Sequence, residues 1–272
     1  MAAPADRTSA FRTLHESGCF VMPNPWDVGS ARLLAGMGFH ALATTSAGMA
    51  WSLGHADTQV PLADVLDHLR VMSAAVDVPV NADFEKGFAA APDRVAANVT
   101  AAAATGIAGL SIEDSTGDTA NPLFEFELAV DRIRAARRAI DASGRSIVLT
   151  GRSEGFLVGR TDLRETIRRL TAYAEGGADC LYAPGLRSAE DIATLVKAVA
   201  PRPVNVLASA DFTTVAELAS IGVRRISVGG ALARAAWTGF FEAAKEIAEQ
   251  GTFITLSRAV SSAALNGPLR SE

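Results

Sequence analysis

The stretch Val-Pro-Val-Asn-Ala-Asp-Phe-Glu-Lys-Gly, residues 78–87, passes from a short β-branched run into two acids two positions apart. A run this short and apolar, bounded by turn residues, reads as a strand buried on both faces. On an extended exit, Asp83 and Glu85 can face the same way. Gly-Leu-Ser-Ile-Glu-Asp, residues 109–114, repeats the pattern, an apolar run that ends on acids.

Six further runs resemble these two, making eight: Cys19–Pro23, Ala41–Thr45, Val78–Ala82, Gly109–Ile112, Ile147–Gly151, Cys180–Ala183, Val204–Leu207 and Arg225–Val228. Helical periodicity fills the intervals. Leu62, Val65, Leu66, Leu69 and Val76 form one stripe, Leu128, Ile133 and Ile140 belong to a second, and Ile192, Leu195, Val196 and Val199 form a third. Gly38, Gly106, Gly177 and Gly222 stand just before strand runs, where a left-handed residue ends a helix. Eight strand–helix units without a linker predict an α/β fold, a (β/α)8 TIM-type barrel, rather than a doubly wound open sheet. No Pro/Gly/Ser-rich hinge interrupts residues 1–272, so one domain is expected. The segment from Thr252 to Glu272 forms a tail whose apolar start (Phe253, Ile254, Leu256) is expected to pack as a helix on this or a neighbouring subunit.

Composition narrows the partners. The chain has 272 residues, 49% of them hydrophobic, enough for a large core. A net charge of −5 without a basic cluster argues against nucleic acid or an anionic membrane as partner. Arg134, Arg137 and Arg138 fall at helical spacing and read as a solvated face. Cys19 and Cys180, both inside strand-like runs, read as buried thiols of a cytoplasmic protein. The amino terminus lacks a signal-peptide core, and no stretch is long and apolar enough to span a bilayer.

In such a barrel the chemistry lies at the carboxyl ends of the strands. Polar residues collect there: Asn24 and Asp27, then Thr44 to Gly48, Asp83 and Glu85, Glu113 and Asp114, Arg152 to Glu154, and Asn205. Asp57, Asp83, Glu85 and Glu113 offer hard oxygen ligands with no accompanying His or Cys cluster, which points to Mg2+ or Mn2+ rather than zinc. Such a cation would polarise the ketone of a 2-oxo acid. The small residues Ser46, Ala47 and Gly48 allow backbone N–H groups to approach its oxygen, and Arg152 suits bidentate capture of its carboxylate. Plainer readings stand beside these. Asp83 and Glu85 could serve the helix before which Pro92 stands, Glu113 could pair with Arg152, and Asn24 and Asp27 could form an Asx turn and N-cap. Only His55 among the histidines is expected near the site, on a surface loop.

These motifs together resemble the isocitrate lyase/phosphoenolpyruvate mutase superfamily over nearly the whole chain. The resemblance rests on Pro-Asn-Pro-Trp-Asp-Val-Gly-Ser-Ala-Arg-Leu (23–33), Thr-Ser-Ala-Gly (45–48) and Asn-Ala-Asp-Phe-Glu-Lys-Gly-Phe (81–88). Ser-Ile-Glu-Asp (111–114), Gly-Arg-Ser-Glu (151–154) and Arg-Ile-Ser-Val-Gly-Gly (225–230) complete it. Glu85 replaces the second Asp of the family's Asp-x-Asp-x-Gly-Tyr-Gly motif. The resemblance implies a Mg2+-dependent enzyme working through an enolate, with Asp57, Asp83, Glu85 and Glu113 around the metal. It implies Thr45 to Gly48, Asp83, Arg152 and Asn205 on the substrate, with Ser46, Arg152 and Asn121 acting in catalysis. It also implies a homotetramer, a dimer of dimers in which subunits exchange the last barrel helix.

One departure bears on the reaction. Isocitrate and methylisocitrate lyases carry a Lys-Lys/Arg-Cys-Gly-His loop after the fourth strand. Here Asp114-Ser-Thr-Gly-Asp-Thr-Ala-Asn-Pro122 has no Cys, Lys or His, and only Asn121 matches the phosphonomutase version of this gate. Ala183-Pro184 replaces the His that some mutases carry after the sixth strand. The expectation is therefore a lyase or decarboxylase of a small 2-oxo dicarboxylate such as oxaloacetate. Phosphonomutase or phosphonopyruvate hydrolase chemistry and a non-catalytic 2-oxo-acid-binding barrel are the alternatives.

Overall fold

A computed structural model of the chain describes residues 4–269. Among these residues, eight parallel strands alternate with helices in a nearly closed (β/α)8 barrel of TIM type. The strands are β1 (Phe20–Met22), β2 (Leu42–Ala43), β3 (Val80–Asp83), β4 (Gly109–Glu113), β5 (Val148–Arg152), β6 (Cys180–Tyr182), β7 (Val204–Leu207) and β8 (Arg225–Ser227). Each lies within two residues of the run expected to form it. Nearly all their side chains are buried, because helices cover one face and the lumen packs the other.

Ladders join β1 to β8 and then pass through each neighbour in turn to β2. No ladder joins β1 to β2 among the described residues; the Ala43 N–H donates to the Pro23 carbonyl at 3.1 Å across that seam. Asn24 ties the seam together. Its Oδ1 accepts the N–H groups of Val228 and Gly229, each at 2.9 Å, and its Nδ2 donates to the Thr44 carbonyl at 2.9 Å. The neighbouring Asp27 is a true N-cap, accepting from the Ser30 N–H at 2.7 Å.

The helices are α1 (Pro4–Leu14), α2 (Val28–Gly36), α3 (Ser46–Ser52), α4 (Leu62–Ala75), α5 (Pro92–Ala103), α6 (Phe126–Ala142), α7 (Leu163–Glu175), α8 (Ala189–Val199), α9 (Val215–Ser220), α10 (Ala231–Gln250) and α11 (Ser262–Leu269). The expected stripes face the barrel: Val65 and Leu69 on α4, Ile133 and Ile140 on α6, and Ile192, Leu195 and Val199 on α8 are buried. The four helix-ending glycines adopt φ between 88° and 104°. At Gly177 a Cβ would also come within 2.5 Å of Arg137 Cγ, so glycine is required twice over.

Three features depart from the sequence reading. Helix α1 was not foreseen, yet its Phe11 is fully buried against Phe20, Met22, Ala108, Val148 and Cys180 and seals the amino end of the barrel. Gly109 makes room for it, since a Cβ there would stand 2.5 Å from the Phe11 ring. Arg137 is not on a solvated face; it bridges Asp141 at 2.7 Å and Asp179 at 3.1 Å. Cys180 is buried as expected, but Cys19 is only half-buried.

Helix α10 leaves the barrel wall, and of its residues only Ala233 is buried. The tail turns through a 3-10 segment, Thr255–Arg258, before α11 packs on α2. Phe253 and Ile254 stay more than half exposed on this chain, so their expected packing is not made within it. Among the described residues no helix is long and apolar enough to cross a membrane.

Candidate active site

Strand register creates the site. Glu113 pairs with Arg152, Arg152 with Tyr182, Tyr182 with Asn205, and Asn205 with Arg225, on five successive strands. Register partners point to the same face of a sheet, so the five form one inward row. Because barrel strands tilt, the row climbs from Arg225, which begins β8, to Glu113, which ends β4. A cavity of about 50 Å³ lies along it, lined by Asn24, Thr44, Asp83, Arg152, Tyr182 and Asn205 among others.

At the rim, Arg152 stands among acids. Its Nη1 lies 3.2 Å from Glu113 and 3.3 Å from Asp83, and its Nε donates to Glu154. Nη2 takes part in none of these ion pairs. The Cζ atom lies 5.3 Å from the centroid of the Tyr182 ring. Burial pulls the guanidinium down, but Glu154, Glu113, Tyr182 and Asp83 together hold it protonated well above its ordinary value. The ion pair foreseen between Glu113 and Arg152 is therefore present, and it does not exhaust the acids.

Burial, and then the neighbouring Asp83 and Asp57, push Glu85 from the usual 4.5 up to about 7. Burial also raises Glu113 well above its ordinary value, with Glu154, Asp83 and Glu85 adding to the rise and Arg152 opposing it. Asp57 is raised by burial and by Asp83, and Glu154 is raised chiefly by burial. Asp83 thus acts on each of the other three expected metal-site acids, and on Glu154 as well.

The turn at 45–48 lies directly over Asp83. Both the N–H and the Oγ of Ser46 donate to Asp83 Oδ2, at 3.0 and 2.9 Å. Thr45 caps α3 by accepting from the Gly48 N–H at 3.3 Å, and Thr44 Oγ1 accepts from the Asp83 N–H at 3.0 Å. A Cβ on Gly48 would meet Thr45 and Trp26 at under 3 Å, which explains the glycine. Of the three backbone N–H groups expected to approach substrate, those of Ser46 and Gly48 are engaged in these bonds and that of Ala47 is not among them.

The gate folds back on itself as a short hairpin, with Ser115 bridging Leu123 and the Phe124 N–H donating to the Asp114 carbonyl at 2.9 Å. Asn121 is exposed there. Its amide reaches Asp118 at 3.5 Å, and it lines a separate cleft of about 620 Å³ with Arg160 and Arg169. It contacts neither Asp83 nor Arg152. Asp114 anchors the gate's base, accepting from Tyr173 at 2.6 Å, the Glu154 N–H at 2.7 Å and Arg169 at 3.2 Å.

Asn205 lies in the cavity wall, donating to Ser227 at 2.9 Å and accepting from Arg225 at 2.9 Å. His55 is exposed, as expected of a surface loop. His68 was overlooked: it lines a cleft with Ser46, Asp83 and Glu85, and burial lowers its pKa. Tyr182 was also missed, because a lone tyrosine in an apolar run reads as core. Its period-two alternation with Cys180 was the available signal.

The donors suit a divalent cation. Asp83, Glu113 and Glu154 share one guanidinium, with Glu85 and the more exposed Asp57 close by, and burial penalises the ionised forms of Asp57, Glu85, Glu113 and Glu154. Among the described residues no three of His, Cys, Asp and Glu converge as a ready-made direct-ligand set. Carboxylate oxygens of this kind are the donors Mg2+ takes, one or two at a time with waters in its remaining positions.

Fold and family together define a barrel enzyme. The chain belongs to the phosphoenolpyruvate phosphomutase family, whose model matches residues 11–248. Its relatives place it in the wider superfamily of lyases, mutases and hydrolases. A candidate lyase/mutase from Burkholderia cenocepacia J2315 superposes with a TM-score of 0.94 at 46% identity, over 98% of this chain and 97% of that one. Oxaloacetate acetylhydrolase in complex with oxalate superposes with a TM-score of 0.85 at 26% identity, over 97% and 93%. An uncharacterized Mycobacterium tuberculosis protein is 33% identical over 81% of each chain. The oxaloacetate decarboxylase of Bradyrhizobium diazoefficiens is 30% identical over 73% of this chain and 69% of its own length.

Proposed function

We propose that the chain is a Mg2+-dependent lyase that decarboxylates a small 2-oxo dicarboxylate, with oxaloacetate as the first candidate. The carrying observation is the surplus of acids around the single guanidinium of Arg152, beside a gate without Cys, Lys or His. A lyase that breaks a bond by donating a proton needs an acid in that gate; decarboxylation does not. In oxaloacetate the C3–C4 bond breaks, CO2 leaves, the electron pair passes into the enolate, and water returns a proton to C3.

A divalent cation bound beside Asp57, Asp83, Glu85 and Glu113 would polarise the 2-oxo group and stabilise charge developing on its oxygen. In this reading Arg152 offers its Nη2 edge to the substrate's C1 carboxylate. Ser46 orients Asp83, and the Ala47 N–H faces the substrate oxygen. Asn205 and Tyr182 wall the lumen side. Asn121 takes part only if the gate swings in over the rim. The family's small-molecule chemistry and the activity named for the Bradyrhizobium relative support this reading.

The test is purified protein with Mg2+ and oxaloacetate, followed by pyruvate release. A rate no greater than free Mg2+ alone gives would end the proposal. Phosphorus NMR on phosphonopyruvate separates it from P–C chemistry, and tight binding without turnover of either substrate would instead mark a binding protein.

The proposal extends to assembly as a tetramer, a dimer of dimers exchanging α10. Phe240 and Phe241 are exposed on that helix and pack edge-on and tilted against Trp237, a cluster that needs a cover. Light scattering that returned a monomer at micromolar concentration would refute it.

A further inference from the structure

Arg132, on the second turn of α6, is among the most deeply buried large side chains of the molecule, yet among the described residues it forms no ion pair with a carboxylate. Nη1 donates to the Glu113 carbonyl at 3.0 Å. Nη2 donates to the carbonyls of Lys86 and, at 3.2 Å, Ala89. The guanidinium carbon lies 4.0 Å from the centroid of the Phe124 ring. One side chain therefore joins three segments: the loop that carries Glu85, the end of β4 that carries Glu113, and the closing end of the gate.

The loop has a reason to need such a clamp. Glu85, Gly87 and Phe88 all adopt left-handed backbone, with φ of 46°, 71° and 56°, and two of the three carry side chains. Non-glycine residues hold that conformation only where surrounding contacts over-determine it. Those contacts here are carbonyl caps from two helices. Asn98 of α5 donates to the Gly87 carbonyl at 2.9 Å, and Arg132 of α6 takes the carbonyls on either side. The Glu113 N–H, in turn, donates to the Glu85 carbonyl at 3.1 Å, so the two acid-bearing segments are joined to each other and to the same guanidinium. A buried cation whose hydrogen bonds go only to main-chain oxygens, with its Nε left unpartnered, is costly, and packing alone would be met more cheaply by leucine or methionine.

We infer that Arg132 is a positioning residue, one that fixes Glu85 and Glu113 relative to Asp83 and anchors the closing end of the gate to them. The inference rests on the reading of those acids as the cation site. It does not depend on which substrate the enzyme takes.

The experiment compares wild type with R132M and R132K. Mn2+ affinity is read by calorimetry well below the melting temperature, and amide hydrogen exchange is read on the metal-free proteins. Outer-shell partners of metal ligands are typically worth about 10–100-fold in affinity, and a loss in that range is expected for R132M. R132K, whose single ammonium cannot reach carbonyls on two segments at once, should lose about tenfold. In both variants the Gly87 and Glu113 amides should exchange about tenfold faster, while those of Leu110 and Ile112 in the β4 core are unchanged. Wild-type Mn2+ affinity in a folded variant, or uniform acceleration across β4, would overturn the inference. Should R132M fail to fold, R132K alone decides it. If wild type binds Mn2+ but leaves oxaloacetate untouched, the proposed reaction fails while the positioning role stands or falls on the affinities.

Discussion

Arg152 and Arg225 occupy the same inward row of the barrel, three strands apart, in opposite surroundings. Around Arg152 stand Asp83, Glu113 and Glu154, more negative charge than one guanidinium can neutralise. Around Arg225 every partner is neutral: Asn205 at 2.9 Å, Thr150 at 2.9 Å and His15 at 3.3 Å. His15 is held neutral by burial and by Arg225 itself, with its pKa lowered to about 3. The floor is thus a closed network with each guanidinium nitrogen engaged, whereas the rim keeps an excess of acid. A polar network that is complete rigidifies its surroundings, and one left unbalanced is available to bind. The comparison separates the part of the lumen that holds the barrel together from the part that can do chemistry.

The strongest way to break this division is D83A. Removing the central acid should lower metal-dependent turnover about a thousandfold or more, the several kcal/mol a Lewis acid supplies, with the circular dichroism spectrum retained. An unchanged rate would take Asp83 out of the cation site. Next comes the floor. R225M strands the polar atoms of Asn205 and Thr150 in the lumen and should cost about 3 kcal/mol in urea unfolding. A loss under about 0.5 kcal/mol would mean that the floor is not structural.

R152K should raise KM for the oxo acid by roughly tenfold or more, since an ammonium cannot reproduce the guanidinium fork; an equal KM would confine Arg152 to ion pairing. The smallest effect concerns pH. Glu85 holds its proton up to about 7 in the folded chain, against 4.5 ordinarily. Between those values the folded state binds more protons than the unfolded one, so metal-free stability is full below 4.5 and falls as pH rises toward 7. The melting temperature should fall as pH rises across that window, and Mg2+ should abolish the slope. A flat profile without metal would show that Glu85 is not held in this acidic cluster.

Much of this was legible along the chain. The run at 78–87 announces both a strand and the acids at its exit, because alternation and burial are written in neighbouring residues. Asp83, Glu85, Glu113 and Arg152 could be picked out for that reason. Arg132 could not, since an arginine in the middle of a helix reads as solvent-facing. His68 was missed likewise, one histidine on an amphipathic stripe.

The sequence by itself determined eight strand runs, the helices between them, the acids at the strand exits and a gate without Cys, Lys or His. These are local matters, decided by side-chain spacing over a few residues. Only the assembled barrel decided that Phe11 should plug its floor, that Arg132 should reach Lys86 from 46 residues away, and that Asn24 should meet Gly229 from 205 away. Such partners are chosen by strand order, tilt and register, which bring distant residues to one place, and no local pattern in the chain encodes that meeting.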